Sequence, residues 1–195
     1  TKPIVIAGPC SAESEKQTLE TAHQLKKHKN LIFRAGIWKP RTRPNSFEGI
    51  GSKGLQWIQK VKEETGLKST VEVAKAKHVE LALKHEVDIL WIGARTTGNP
   101  FAMQEIADSL KGVDIPVMVK NPINPEVNLW IGAIERLLDN GIYNIAAIHR
   151  GLYQGLQYPL SLRLHSSVPA VKYPISVDQF DHEWVFDKQF FLRLK

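Results

Sequence analysis

Val87-Asp88-Ile89-Leu90-Trp91-Ile92-Gly93-Ala94-Arg95 is the stretch that decides the fold. Its apolar, β-favouring run is too short for a helix and is closed by a glycine, which reads as a strand. Helical periodicity flanks it on both sides, over Ala74 to His85 and Pro100 to Leu110. A strand that is apolar over Ile89 to Ile92 and sits between two helices belongs to a parallel sheet.

Working outward, the same alternation repeats. Strands are predicted at Pro3 to Gly8, Leu31 to Arg34, Ser69 to Val73, Val87 to Gly93, Pro116 to Lys120 and Tyr143 to His149. Helices are predicted at Glu13 to His28, Ser52 to Thr65, Ala74 to His85, Pro100 to Leu110 and Pro125 to Asp139. In the first helix Leu19, Ala22, His23 and Leu25 suggest a core stripe. Asn124-Pro125 reads as a cap followed by proline at the first helical position, and Asn140-Gly141 as a left-handed stop. The segment from Gly36 to Gly51 is a long loop rich in Pro, Arg and Gly, and such loops in α/β domains often carry function.

After Arg150 this rhythm stops. Residues 152–195 hold eight of the chain's sixteen aromatic residues but only one of its 13 glycines, and no helix-length amphipathic segment follows. One further strand is predicted around Lys172 to Val177. The chain therefore divides into residues 1–151, six βα units, and residues 152–195, a tail of different character.

Composition excludes several classes. At 195 residues, 43% hydrophobic and 24% charged, the chain is neither disordered nor collagen-like, and one cysteine rules out a disulfide scaffold. With no apolar run of about 18 residues and no signal-peptide pattern, the expectation is a cytoplasmic protein without a membrane span. The net charge of +6 is modest for a nucleic-acid binder, and Arg41 and Arg43 lack interleaved aromatics. No nucleic-acid partner is expected.

In a parallel βα array the C-terminal ends of all strands share one rim, where α/β enzymes bind ligands. These ends carry Gly8-Pro9-Cys10-Ser11, then Arg34 followed by Lys39, Arg41 and Arg43, then Glu72, Gly93-Ala94-Arg95, Lys120-Asn121 and His149-Arg150-Gly151. So much positive charge on one rim repels itself unless an anion occupies it. Arg and Lys together match phosphate and carboxylate oxygens, so a small phosphorylated ligand fits better than a polymer. Cys10 is a buried small hydrophobe, a reactive thiol or a soft metal ligand. His23, His28, His78 and His85 lie within helix patterns and read as structural, whereas His149 stands at a strand end.

Five segments, in this order and spacing, resemble one family: Ile6-Ala7-Gly8-Pro9-Cys10-Ser11, Arg34 with Lys39-Pro40-Arg41-Thr42, Ile92-Gly93-Ala94-Arg95, Val119-Lys120-Asn121 and His149-Arg150-Gly151. The family is 3-deoxy-D-arabino-heptulosonate 7-phosphate (DAHP) synthase, in its short, type I beta form, some members of which carry a fused chorismate mutase domain. Lys-Pro-Arg-Thr argues against the sister enzyme, 3-deoxy-D-manno-octulosonate 8-phosphate synthase, which typically has a Lys-Ala-Asn-Arg type segment there.

The resemblance implies a (β/α)8 TIM barrel that condenses phosphoenolpyruvate with erythrose 4-phosphate as the first step of the shikimate pathway, using a divalent metal ion (Mn, Fe, Co or Zn). It implies Cys10 as a metal ligand and Arg34, Lys120, Arg95 and Arg150 as the phosphoenolpyruvate site, with Gly93 and Ala94 at its phosphate. Lys39, Pro40, Arg41 and Thr42 would receive erythrose 4-phosphate. Lys39, Glu72 and Lys120 are the candidate catalytic residues, Glu72 near the attacking water and Lys120 as proton donor or relay. A homo-oligomer is expected for such a protein.

The tail departs from the family. Its nearest counterpart to the remaining metal ligands, Val177-Asp178-Gln179-Phe180-Asp181-His182, has the wrong spacing. Six units cannot close an eight-stranded barrel. The expectation is a barrel whose last two units are missing or unrecognisable, with residues 152–195 a divergent or unreliable tail in their place. Three further readings stay open: a noncatalytic module that binds a phosphate ligand, an enzyme like 3-deoxy-D-manno-octulosonate 8-phosphate synthase, and a different phosphate-binding barrel with Lys120 as a Schiff-base lysine.

Overall fold

The computed structural model describes residues 4–39, 41, 43, 45–124, 126–149 and 190–193. Its elements are β1 (Val5–Ala7), α1 (Glu15–Leu25), β2 (Leu31–Arg34), α2 (Lys53–Thr65), β3 (Lys68–Val73), α3 (Ala76–Lys84), β4 (Ile89–Ile92), α4 (Ala94–Thr97), α5 (Pro100–Ser109), β5 (Val117–Lys120), α6 (Val127–Asp139), β6 (Ile145–His149) and β7 (Phe190–Arg193). The strands lie in one sheet in chain order. Strands β1 to β6 are parallel throughout, so their C-terminal ends share one rim. β7 pairs antiparallel with β6, Ala147 opposite Leu192.

All six predicted strands and five predicted helices are present, with ends displaced by a few residues. Sequence reading missed α4 and β7. The predicted strand around Lys172 to Val177 and the Asp178 to His182 segment lie outside the described residues.

Alternation along each strand gives the sheet two unlike faces. Phe33, Val71, Val73, Leu90, Ile92, Val117, Val119, Ile145 and Ala147 point to the helices and join Leu55, Ile58, Ile106 and Ile134 in the main core. Each such large side chain, removed from water, contributes about 1.5–3 kcal/mol. On the opposite face Trp91, Met118 and Ile148 form a smaller cluster with Ile6, Ile89 and Ala146. Arg34, Glu72 and Lys120 share the parity of that face, Arg34 and Lys120 as the last residues of β2 and β5 and Glu72 as the last but one of β3, so the chemistry stands above an apolar floor.

Local capping explains several boundaries. The Ser14 hydroxyl accepts from Gln17 N at the start of α1. Asn99 caps α5 by accepting from Phe101 N and Ala102 N, with Pro100 in the first turn. The expected Asn124-Pro125 cap is not used: α6 begins at Val127, because the Asn124 carbonyl is taken in a tight turn by Glu126 N at 2.7 Å. Gly141 does adopt the left-handed conformation, at φ 84°. In α1 the buried positions are Thr18 and Ala22, while His23 lies half-exposed, 2.8 Å from Glu64.

One carboxylate ties three elements together. Asp88, just before β4, accepts from Ser69 N on β3 (2.8 Å), Ser69 Oγ (3.1 Å) and Lys62 Nζ on α2 (2.9 Å). Burial would raise its pKa, but these hydrogen bonds and the Lys62 charge outweigh burial and hold it below the ordinary aspartate value.

Candidate active site

The site is assembled where β2, β3, β4 and β5 end, with the loop after β2 folded over β1's end. Close backbone approach sets its geometry. Gly8 adopts φ 149°, and a Cβ there would lie 1.9 Å from the Arg34 carbonyl oxygen. At Gly36 a Cβ would meet the Cys10 carbonyl oxygen at 2.2 Å. These glycines let the turn carrying Cys10 pack directly on β2 and the loop that follows, where Ala12 N donates to Gly36 O at 3.0 Å.

That packing brings Lys39 onto Cys10. Lys39 Nζ donates to the Cys10 carbonyl oxygen at 2.7 Å and lies 3.2 Å from its Sγ, while Arg34 donates to the same carbonyl at 3.5 Å. The Cys10 thiol is exposed. The Lys39 hydrogen bond, opposed by partial burial and assisted by the charges of Lys39, Arg34 and Arg41, holds its pKa below the usual thiol value. Of the three readings of Cys10, a buried hydrophobe is therefore excluded.

Glu72 is the centre of the charge constellation. Burial raises its pKa above the ordinary glutamate value, and Lys120, Lys39, Arg34 and Arg95 pull in the opposite direction without prevailing. Gly93 makes room for this carboxyl: a Cβ at Gly93 would sit 1.9 Å from Glu72 Oε1. Lys120 and Asn121 are buried, at 8% and 7% exposure, whereas Arg95 is exposed at the start of α4. Gly93 caps α4 through its carbonyl, which accepts from Thr96 N, Thr97 N and the Thr97 hydroxyl.

The predicted site residues therefore fall into clear groups. Cys10, Arg34, Lys39, Glu72, Gly93, Ala94, Arg95 and Lys120 all lie at the strand-end rim, and the electrostatics of Glu72 and Cys10 link their charged members. Arg41 is exposed, its Nε donating to Phe47 O at 2.9 Å. Pro40, Thr42 and Arg150 lie outside the described residues. His149 is half-buried beside Trp130, with ring centroids 6.4 Å apart, and burial lowers its pKa.

Sequence reading missed two aromatic contributors. Trp91 carries both Arg34 Cζ and Lys120 Nζ at 4.6 Å from its ring centroid. Trp38, next to Lys39, stacks on His78 with centroids 4.1 Å apart and planes 2° from parallel. His78 is thus built into the support of the loop, its Nδ1 accepting from Ala74 N at 3.3 Å. Parity with Met118 and proximity to the Lys39 segment were the available signals.

Among the described residues there is no group of three or more His, Cys, Asp or Glu side chains that could hold a metal ion. Divalent transition metals are held by three or four such ligands, so the described residues do not by themselves make a complete metal centre.

The chain matches the DAHP synthetase I family over residues 1–177. It is 31% identical over 148 residues to the phospho-2-dehydro-3-deoxyheptonate aldolase of Thermotoga maritima, a match covering 76% of this chain and 42% of that protein. It is also 37% identical over 100 residues to the 2-dehydro-3-deoxyphosphooctonate aldolase of Caulobacter vibrioides, covering 48% of this chain and 34% of the relative. The crystal structure of the Thermotoga maritima DAHP synthase superposes with a TM-score of 0.63 at 27% identity, over 74% of this chain and 40% of that one. A truncated form of the enzyme from Thermotoga maritima gives 0.60 at 24% identity, over 74% and 49%. The chain thus spans less than half the length of these relatives, and its sheet holds six consecutive parallel strands, five of them followed by helices, and then one antiparallel strand among the described residues. With the family match covering most of its residues and the strand-end motifs in place, this chain belongs to the DAHP synthetase I family.

Proposed function

We propose that this chain carries the phosphoenolpyruvate half of a DAHP synthase active site, in which phosphoenolpyruvate and erythrose 4-phosphate condense to DAHP and inorganic phosphate. The observation that carries the reading is the convergence of Lys120, Lys39, Arg34 and Arg95 on Glu72. Four cations around one carboxyl that burial keeps toward its protonated form leave a net positive site, suited to an anion bearing a phosphate and a carboxylate.

In this reading Arg34, Lys120 and Arg95 bind phosphoenolpyruvate, with Arg150 completing the set, and Gly93 and Ala94 supply backbone beside its phosphate. Lys39, Pro40, Arg41 and Thr42 receive the aldehyde phosphate. The methylene carbon of phosphoenolpyruvate bonds to the aldehyde carbon, water adds to the enol carbon, and phosphate leaves. The aldehyde oxygen gains a proton and the attacking water loses one, its remaining proton being released as phosphate departs and the ketone forms. Lys120 supplies the first and Glu72 takes part in the second, while positioning of two anions in one site accounts for much of the acceleration. Cys10 would serve a divalent metal only together with donors from outside the described residues, and no step is assigned to that ion.

The test is to follow phosphoenolpyruvate consumption by the purified 195-residue chain with each of several divalent metals. The reading expects loss only when erythrose 4-phosphate is present; no turnover with any metal would overturn catalysis by this chain and leave the noncatalytic phosphate-binding reading. The relatives named 2-dehydro-3-deoxyphosphooctonate aldolase favour a second reading. An eight-carbon product requires a five-carbon aldose phosphate, so turnover with that substrate and not with erythrose 4-phosphate would establish it. Borohydride trapping of Lys120 with a keto substrate would establish the Schiff-base alternative instead.

A further inference from the structure

We propose that Trp91 is a positioning residue of the anion site, its indole ring holding Arg34 and Lys120 by cation–π contact. The proposal rests on the functional reading above for the identity of the anion, and on the geometry alone for the existence of the device.

Arg34 Cζ and Lys120 Nζ each lie 4.6 Å from the centroid of the same ring. The ring is only 6% exposed. It is fixed on β4 between β3 and β5, in register with Glu72 on one side and Met118 on the other. Beneath it, Met118 and Ile148 form the apolar floor.

Two cations brought to one place repel, and long Arg and Lys side chains lose rotamer freedom when held there. A carboxylate partner would order them but cancel the charge that an incoming anion needs. A neutral ring face orders them and leaves their charge intact. Glu72 is in the same cluster, but a single carboxyl carries at most one negative charge and cannot offset both cations. The choice of tryptophan has a cost that packing alone does not explain. Trp91 Nε1 is buried with no hydrogen-bond partner among the described residues, which leucine or phenylalanine on the same floor would avoid.

The experiment uses the full chain and titrates inorganic phosphate and phosphoenolpyruvate by calorimetry into wild type, Trp91→Leu and Trp91→Phe. The proposal expects Trp91→Leu to weaken binding about tenfold and Trp91→Phe, which keeps a weaker ring face, about threefold. Equal effects of leucine and phenylalanine, or unchanged affinity, would overturn it. A second readout is the ¹⁹F resonance of Trp91 in 5-fluorotryptophan protein, assigned by its loss in Trp91→Phe. It should move in Lys120→Met and on anion binding, with the calorimetric midpoint; a resonance insensitive to both would reject cation–π contact even if Trp91→Leu does not fold. If wild type binds phosphate but not phosphoenolpyruvate, the substrate reading fails and the phosphate titrations decide the role of Trp91. Binding of neither anion overturns both.

Discussion

Two side chains set the chemistry of the rim, and each yields a prediction. Lys39 holds the Cys10 thiol below its ordinary pKa by the contact at 3.2 Å. In Lys39→Met that hydrogen bond and charge are gone, so the pH profile of Cys10 alkylation by iodoacetamide should move to higher pH; an unmoved profile would show that Lys39 does not control the thiol. Glu72 is raised by burial against the pull of four cations. An anion arriving beside it favours the protonated form further, so phosphoenolpyruvate binding should take up protons, measured by calorimetry in buffers of different ionisation enthalpy. Glu72→Gln should abolish that uptake and lower any turnover about a hundredfold. The same proton uptake in wild type and variant would remove Glu72 from the site. Arg34, Glu72 and Lys120 were legible because strand parity and a parallel array put strand-end residues on one rim. Trp91 was not, because a tryptophan inside an apolar run reads as core, and only the folded register places two cations over its ring.

At the scale of elements, the loop between β2 and α2 is held by backbone bonds that include Lys39 N to Glu48 O at 2.8 Å and Gly51 N to Ile37 O at 2.9 Å. The Trp38–His78 stack pins it to α3. Burial, aided by the charge of Lys75 and opposed by Glu105, lowers the His78 pKa from 6.5 to about 4. Since the folded state disfavours the protonated imidazole, this stabilisation is complete above pH 6.5 and is lost as pH falls toward 4. His78→Phe keeps the stack and removes the titration. Its melting temperature should therefore fall less between pH 6.5 and 4 than that of wild type, and parallel curves would contradict the assignment. Periodicity located the helices and strands, but the loop and β7 escaped it. A loop contact such as Trp38 on His78 has no period, and β7 pairs antiparallel with a strand about forty residues earlier, outside the βα rhythm.

Over the whole molecule, one arrangement unites these features: six parallel strands bury a mainly apolar face under the helices and leave the other face mainly apolar below and charged at its rim. The charge at the rim is what folding alone does not favour, and an anion relieves it. The most direct measurement is a phosphoenolpyruvate titration of the 195-residue chain by calorimetry, beside Lys120→Met. Lys120 is 8% exposed and stands at the end of β5, with its charge felt at Glu72. A charge-assisted hydrogen bond is worth about 1.5–3 kcal/mol, so the wild type should bind one equivalent and Lys120→Met should bind at least about tenfold more weakly. Equal affinity in the two proteins, or no binding by the wild type, would contradict an anion site at these strand ends.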